Sequence, residues 1–519
     1  MQEEHKKPMK ILYILSSTEH LPLLQQYIAS VDRLDELVKI QTTHPTPAQA
    51  VKMLCLAVHN NQISPMLDWQ NLMMPYIFPQ QIALNENHFL GMIFGLLGNF
   101  DKAYRYLAET PLWQEWDYYL RLYSNQPVAV EALEKKLEQT EDPLECYRAY
   151  HNIAFIYYYA YLYEPESLLR IEYYFLKALK AAPHTVARLF STKQYANFLA
   201  DIGQVEKANS LLAEAKSLAQ DNLIQAALGF VWVQVMMKKL AVPYDANLLQ
   251  QLKNTLWDTL QFYEKNQCKA ESALLLMDAS MIANIENSFA ESLGYVNKAI
   301  QLFKEEELAQ LIGEACLRKG ILLYTWSKNG QPQFYRPALE AFQEALKYFD
   351  KENAPDVFAD IHHHLGIVYA EMPDENKKRS IWAALSASSF KEALEFFNKQ
   401  DYPYEYAVVA NNYANAMTLY PQMKKADNFA KALELYDEAL SIRNPDQYPY
   451  ERALTLMNYL EASWQVSNAE EGFNEERFQD MVSKALEIKV LVDDVQLKDE
   501  ADKHLEALEK LKTSFQQNA

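Results

Sequence analysis

Three related stretches of 25 residues in the C-terminal half of the chain indicate its fold. They read FQEALKYFDKENAPDVFADIHHHLG at 342–366, FKEALEFFNKQDYPYEYAVVANNYA at 390–414 and YDEALSIRNPDQYPYERALTLMNYL at 436–460. The Glu-Ala-Leu triplets begin at positions 344, 392 and 438, so the spacing is 48 and then 46 residues. An aromatic residue before each triplet and a proline after it keep the same register. Repetition at such a period indicates a repeat array.

Each copy predicts two helices. Apolar residues lie at helical spacing in 342–349 and again in 390–397. Pro355, Pro403 and Pro449 mark the link to the following helix, because proline cannot continue a helix interior. A pair of this kind buries its apolar stripes only against neighbouring pairs. The predicted fold class is therefore all-α, an α-solenoid of stacked antiparallel helix pairs.

The pairs resemble the tetratricopeptide repeat (TPR) family in their large, small and aromatic columns. The matching residues are Leu90-Gly91, Phe94, Gly98-Asn99-Phe100, Ala103 and Leu107; Tyr195-Ala196, Leu199, Gly203, Ala208, Leu212 and Ala215; and Ile153-Ala154, Tyr157, Phe175, Ala178 and Pro183. The resemblance covers about residues 88 to 490 and implies a right-handed superhelix with a concave, partner-binding groove. The family period is about 34 residues, so these longer copies imply longer helices and loops. A HEAT-like array has a period of this size and is the alternative.

The repeats divide the chain into four segments. Residues 1–87 do not fit the pattern, and their prolines predict short helices that form an N-terminal helical cap over the first repeat. The remaining segments are residues 88–300, with repeats of near-standard or irregular length, residues 301–490, with the lengthened period, and residues 491–519, a C-terminal capping helix and tail.

Composition limits the classes of function. The formal net charge of -20 would repel a phosphate backbone, so we expect no nucleic-acid partner. The four cysteines are far apart in sequence, which indicates a reducing compartment. No apolar run reaches the roughly 20 residues of a spanning helix, and no signal-peptide core is visible. The sequence predicts a soluble, cytoplasmic protein without a membrane partner.

No motif for catalysis is visible. Nucleophile, phosphate-loop and dinucleotide patterns are missing from the sequence. His362, His363 and His364 are consecutive, so on a helix they point about 100° apart and do not converge on one metal. We expect no enzyme activity, no cofactor and no metal. The alternative of another class is an enzyme whose site lies in the N-terminal segment or in the tyrosine-rich residues 157–163.

The TPR resemblance also predicts which side chains meet a partner. In that family the first helix of each pair faces the groove, and the residue before the large–small pair projects into it. The predicted partner-binding residues are Arg318, His364, Asn412 and Asn458 in that register, with Tyr324, Asn415, Glu461 and Trp464 one or two turns further on. Their amides and the guanidinium favour hydrogen bonds to a peptide. A solvated groove wall is the alternative.

The function predicted from these features is a scaffold that binds a protein or peptide in the groove. The alternative is a regulatory protein that changes shape when a peptide or other ligand enters. Lys377-Lys378-Arg379 and Lys424-Lys425 are predicted to lie in loops, as solvated charges or as an anion-binding edge. Lys193 and Asn197 match part of the family's carboxylate clamp. Because Ala227 stands where the next Asn is required, that specificity is not predicted.

Overall fold

The computed structural model describes residues 11–43, 55–70, 73–124, 126–162, 164–241, 244–373, 376–421, 427–467 and 473–518. The chain forms two compact units, unit 1 of residues 1–282 and unit 2 of residues 283–519.

Unit 1 begins with a five-stranded mixed sheet. Its strands are β1 (Leu12–Ser16), β2 (Val38–Gln41), β3 (Cys55–His59), β4 (Gln62–Pro65) and β5 (Ile82–Ala83), in the order β2-β1-β3-β4-β5. Strand β1 pairs in parallel with β2 and β3, whereas β4 pairs antiparallel with β3 and β5. Helices α1 (Leu21–Ala29) and α2 (Leu34–Leu37) connect β1 to β2. The prediction of a purely helical cap over residues 1–87 is therefore wrong for the described part of that segment.

The pattern of burial explains why this sheet forms. In β1 the side chains of Leu12 and Ile14 are buried and alternate with half-buried neighbours, which is the period-two pattern of a strand. Asn60 and Asn61 have positive φ angles of 49° and 55°, so they make the tight turn that joins β3 to β4. An apolar run as short as residues 11–15 does not distinguish a strand from a buried helix by periodicity alone.

After the sheet, every described element of the chain is helical. The helices up to residue 285 are α3 (Glu86–Leu96), α4 (Phe100–Leu107), α5 (Pro111–Tyr123), α6 (Val130–Glu138), α7 (Pro143–Tyr161), α8 (Pro165–Ala181), α9 (Thr185–Asp201), α10 (Val205–Leu218), α11 (Asn222–Met237), α12 (Ala246–Lys265) and α13 (Lys269–Ile285). Several begin with an Asp cap; Asp142, for example, accepts hydrogen bonds from the backbone N–H groups of Leu144 and Glu145.

Unit 2 continues the helix pairs. Its helices are α14 (Phe289–Glu305), α15 (Ala309–Lys328), a 3₁₀ turn (Pro332–Phe334), α16 (Tyr335–Ala345), α17 (Pro355–Glu371), α18 (Asn376–Phe396), α19 (Pro403–Leu419), α20 (Asn428–Ile442), α21 (Pro449–Ser463), α22 (Glu475–Leu491) and α23 (Val495–Asn518). Pro355, Pro403 and Pro449 each occupy the first helical position, where a missing N–H costs nothing. These prolines therefore start helices, as their place in the repeat predicts.

Small residues lie where paired helices touch. A Cβ atom built on Gly366 of α17 would lie 2.8 Å from the Phe390 ring of α18, and one on Gly320 would lie 2.6 Å from the Phe342 ring. Ala414 of α19 is fully buried in a cluster with Tyr436. The small residues of this column therefore allow the paired helices to pack closely.

The all-α repeat class predicted from the sequence is confirmed for the region after the sheet. Helix α18 has 21 residues, which accounts for part of the lengthened period. Within the described residues, no helix combines the length and the apolar character that crossing a membrane requires.

Candidate functional site

Unit 2 contains a cavity of about 440 Å³ between α19, α20 and α21. Its polar wall consists of Asn415, Thr418, Asn458, Glu461 and Gln465, and we name this cavity the amide pocket. Leu419, Phe429, Tyr436 and Ala462 complete the lining. Three of the eight residues predicted for the groove, Asn415, Asn458 and Glu461, therefore line one cavity.

Helical spacing places these side chains together. Asn458, Glu461 and Gln465 are three and then four residues apart, so they lie on one face of α21 and its C-terminal extension. Asn415 and Thr418 share a face of α19 in the same way. The pocket is thus formed by corresponding faces of two successive first helices.

Asn415 is held in position by a neighbouring tyrosine. The hydroxyl of Tyr436 donates a hydrogen bond of 2.6 Å to Oδ1 of Asn415. Burial, together with the nearby Glu461 carboxylate, raises the pKa of Tyr436, so this hydroxyl keeps its proton and remains a donor. The side chain of Asn415 therefore presents its NH₂ group as the remaining donor.

Of the other polar side chains of the pocket, Thr418 donates a hydrogen bond of 2.7 Å from its hydroxyl to the backbone carbonyl of Asn415, whereas the remaining three are unengaged. Asn458, Glu461 and Gln465 make no side-chain hydrogen bond within the described part of the chain, and Glu461 is exposed. Together they offer amide donors, amide acceptors and one carboxylate to a ligand.

Two more predicted residues contact other side chains of the protein itself. Asn412 contacts Nε2 of His363 through its Nδ2 at 2.9 Å. His364 stacks on the Phe342 ring with centroids 5.4 Å apart, and its Nε2 is 3.8 Å from Oδ1 of Asp360. Burial lowers the pKa of His364 to about 4, so the imidazole is neutral at neutral pH. Neither side chain lines the amide pocket.

The remaining predicted residues also lie outside it. Trp464 contacts Nδ1 of His504 through Nε1 at 2.9 Å. The hydroxyl of Tyr324 donates a hydrogen bond of 3.1 Å to Oε2 of Glu371. Arg318 is exposed. The predicted column is therefore not one continuous surface of free side chains.

The other motifs have structural surroundings of their own. Tyr157 and Tyr158 are buried, whereas Tyr159 is 55% exposed; Tyr163 is outside the described residues. Lys378 and Arg379 lie in the first turn of α18, so the loop predicted for them is wrong, and Lys424-Lys425 are outside the described residues. Among the described residues, no group of three His, Cys, Asp or Glu side chains is placed to hold a metal ion.

Unit 1 contains a contact that the sequence analysis missed. A segment of residues 73–80, which is neither helix nor strand and which we name the inner segment, lies on α5 and α7. The side chain of Asn152 accepts a hydrogen bond of 2.8 Å from the N–H of Ile77 and donates one of 2.9 Å to its carbonyl. One asparagine thus pairs with both backbone groups of one residue.

Further polar side chains hold the inner segment. Nε2 of His151 donates a hydrogen bond of 2.8 Å to the carbonyl of Pro75. The hydroxyl of Tyr76 donates one of 2.6 Å to Glu115, which also forms a buried ion pair of 2.7 Å with Arg148. Burial raises the pKa of Glu115, but the Arg148 guanidinium outweighs this effect, and the net pKa is below its ordinary value. Hydrogen bonds to side chains of α5 and α7 therefore hold the inner segment in place.

Lys193, which with Asn197 matches part of the carboxylate clamp of the TPR family, is also hydrogen-bonded within the chain. It is only 2% exposed, and its Nζ donates a hydrogen bond of 2.7 Å to the carbonyl of Trp69. Burial lowers its pKa to about 8. This lysine binds the chain itself and is not presented to a partner.

A sequence signal for the inner segment did exist. Asn152 immediately precedes Ile153-Ala154, just as Asn412 precedes Tyr413-Ala414. The same register that selected Arg318, His364, Asn412 and Asn458 in unit 2 therefore selects Asn152 in unit 1.

The chain matches no known family model and no curated protein. Among solved structures it is similar to the human IFIT1 dimer with m7Gppp-AAAA, at 13% identity over 82% of this chain and 81% of that one, with a TM-score of 0.43. It is also similar to the P58(IPK) TPR domain, at 14% identity over 74% and 99%, with a TM-score of 0.22. The third is yeast Tom70, at 15% identity over 82% and 95%, with a TM-score of 0.20. All three identities lie below 25%, and all three TM-scores lie below 0.5.

Proposed function

We propose that this protein is a scaffold that binds an extended peptide segment of a partner protein in the amide pocket. The observation that supports this function is the pairing of Asn152 with both backbone groups of Ile77. It is an example, within this chain, of an asparagine in this register that pairs with the main chain of a segment outside helices and strands. Because backbone groups are common to all peptides, such recognition depends on shape more than on sequence.

Asn458 has the same register and no bound segment. It is half-buried, and its amide is not engaged by the described residues. A buried or half-buried amide gains from a partner that satisfies both its donor and its acceptor. An extended backbone that passes the pocket would supply these two groups in the way that Ile77 supplies them to Asn152.

The carboxylate of Glu461 suggests which peptides fit best. It is exposed at the pocket, and the chain carries a formal net charge of -20. A Lys or Arg side chain next to the bound backbone would pair with Glu461 and would be attracted by the overall field. We therefore expect a basic residue in the preferred ligand.

The proposed role is binding without catalysis, nucleic-acid recognition or membrane association. It rests on side chains that suit hydrogen bonding to a peptide and on a net charge that opposes phosphate. A cytoplasmic location remains part of the same proposal.

The test is selection of random twelve-residue peptides against the full chain, followed by calorimetry. Asn458→Ala should weaken the selected peptide by about tenfold or more, because two backbone groups lose their partner. Asn247→Ala is the matched control, since Asn247 is an exposed helical asparagine whose side chain bonds to no described residue. Equal affinity for wild type and Asn458→Ala, with folding intact, would exclude the amide pocket as the binding site.

A further inference from the structure

A second cavity of unit 2, of about 570 Å³, is lined by residues of α15, α16, α17, α18 and the end of α19. Its walls include Tyr335, Tyr369, Trp382 and Tyr420, and we name it the aromatic pocket. A volume of this size is typical of small-molecule sites, which range over about 300–1,000 Å³. None of the eight predicted groove residues lines this cavity.

Two of the charged residues that line the aromatic pocket neutralise each other. Lys328 and Glu371 form an ion pair of 2.9 Å across its edge. The hydroxyls of Tyr324 and Tyr335 each donate a further hydrogen bond of 3.1 Å to the same carboxylate oxygen of Glu371. These donors satisfy the carboxylate, and the pair contributes no net charge.

Among the described residues of the lining, Arg379 is the remaining charged group. Its side chain is exposed and makes no ion pair or hydrogen bond within the described part of the chain. A guanidinium offers five N–H donors in a planar fork that matches a carboxylate. The described lining therefore has one more cation than carboxylate, which suits an anion.

The walls indicate what the anion is attached to. The rings of Tyr369 and Trp382 stack on each other, nearly parallel at 17° with centroids 5.7 Å apart, and both line the cavity, so one wall is aromatic. Arg379 and Trp382 are three residues apart on α18, which places the cation and the ring on one face. A planar apolar group would stack on such a wall while its anionic end reached Arg379.

We infer that the aromatic pocket is a binding site for a small aromatic carboxylate, with Arg379 as the anion-binding residue and Trp382 as the stacking surface. This site is separate from the amide pocket and does not depend on peptide binding there. The carboxylate could belong to a free aromatic acid or to the last residue of a peptide, and the chemistry is the same in both cases.

The test is calorimetric titration of the full chain with N-acetyl-phenylalanine. N-acetyl-phenylalanine amide lacks the charge, N-acetyl-alanine lacks the ring, and the peptide Gly-Gly-Gly-Phe carries both at a chain end. We expect saturable binding of N-acetyl-phenylalanine and at least about tenfold weaker binding of the first two controls. Binding of Gly-Gly-Gly-Phe that is tighter than that of N-acetyl-phenylalanine identifies a peptide end as the source, and weaker binding identifies a free acid.

Substitutions test whether the ligand binds at Arg379 of the aromatic pocket. Arg379→Gln should weaken N-acetyl-phenylalanine by about tenfold and leave the amide unchanged, whereas Lys378→Gln removes the same charge one residue away and should leave both unchanged. Because Arg379 is exposed, its replacement should not alter the melting temperature. Asn458→Ala should not affect this ligand, which separates the result from the fate of the amide pocket. No saturable binding, equal binding of the amide, or equal losses in both charge variants would each overturn the inference.

Discussion

Single glycines and alanines set how closely the paired helices approach. Gly366 faces the Phe390 ring, and its missing Cβ is the reason that the ring fits against α17. Gly294, in contrast, lies on a helix with no atom within 4 Å of where its Cβ would be. The two helical glycines therefore differ only in what lies beside them.

We predict that Gly366→Leu lowers the stability of unit 2 by about 1–3 kcal/mol, because the side chain would overlap Phe390 and force the helices apart. Gly294→Leu should be neutral or slightly stabilising, since it only improves helix propensity. Thermal denaturation followed by circular dichroism measures both. An unchanged melting temperature for Gly366→Leu would mean that the helices can separate without cost.

Asn152 and Asn458 show how one residue type in one register has two different consequences. Asn152 is 1% exposed and is paired with Ile77, whereas Asn458 is half-buried and has no partner among the described residues. The first contributes to folding and the second is available for binding.

We predict that Asn152→Ala reduces the free energy of unfolding by about 2–4 kcal/mol, because the N–H and carbonyl of Ile77 stay buried with fewer partners. Asn458→Ala should change it by less than about 0.5 kcal/mol, as for an ordinary surface substitution. Urea titrations of both variants provide the comparison. Similar losses in the two would show that Asn458 also has a structural role.

Among the elements, the contact between α7 and the inner segment contains a buried histidine. His151 is fully buried, and burial lowers its pKa to about 4 from an ordinary value near 6.5. Its Nδ1 is 2.8 Å from Oγ of Ser191, so both ring nitrogens are engaged while the ring is neutral. In the unfolded chain the same imidazole takes up a proton near pH 6.5.

The stability that this histidine contributes is therefore complete above about pH 6.5 and is lost as the pH falls towards 4. Between pH 7 and 4.5 the loss should be about 2 kcal/mol. His151→Gln is the control, because an amide can donate to Pro75 and accept from Ser191 without titrating. The measurement is urea unfolding at both pH values; an equal acid sensitivity of wild type and His151→Gln would show that other groups are responsible.

The short strands of the N-terminal sheet depend on their neighbours and not on their own sequence alone. Strand β5 has two residues and β4 has four, and each exists only because a neighbouring strand supplies hydrogen bonds. From the sequence alone, the prolines of this segment predict only breaks between short helices. Pro65 in fact ends β4, and Pro75 lies in the inner segment.

For the molecule as a whole, the formal net charge of -20 leads us to expect that polyanions do not bind. Neutralising phosphates requires clustered Lys and Arg, and the field of this chain opposes approach. We predict no saturable binding of a fluorescein-labelled oligoadenylate at physiological salt, measured by fluorescence anisotropy.

The labelled peptide from the selection experiment serves as the positive control in the same buffer. Binding of the oligonucleotide that weakens steeply with added salt would contradict the prediction. It would also show that a basic patch is more important than the average charge.

The helix-pair fold was predictable because its causes are local. Apolar spacing, proline at first helical positions and small residues in register act within one or two repeats, and all of them are visible in the 25-residue copies. The register of Asn412 and Asn458 was visible for the same reason. Whether each side chain is free was not visible, because that depends on residues far away in sequence. Asn412 is engaged by His363, 49 positions away, and Asn152 by Ile77, 75 positions away. Only the tertiary structure brings such groups together, and it therefore decides which positions of one repeating column bind the chain itself and which can bind a partner.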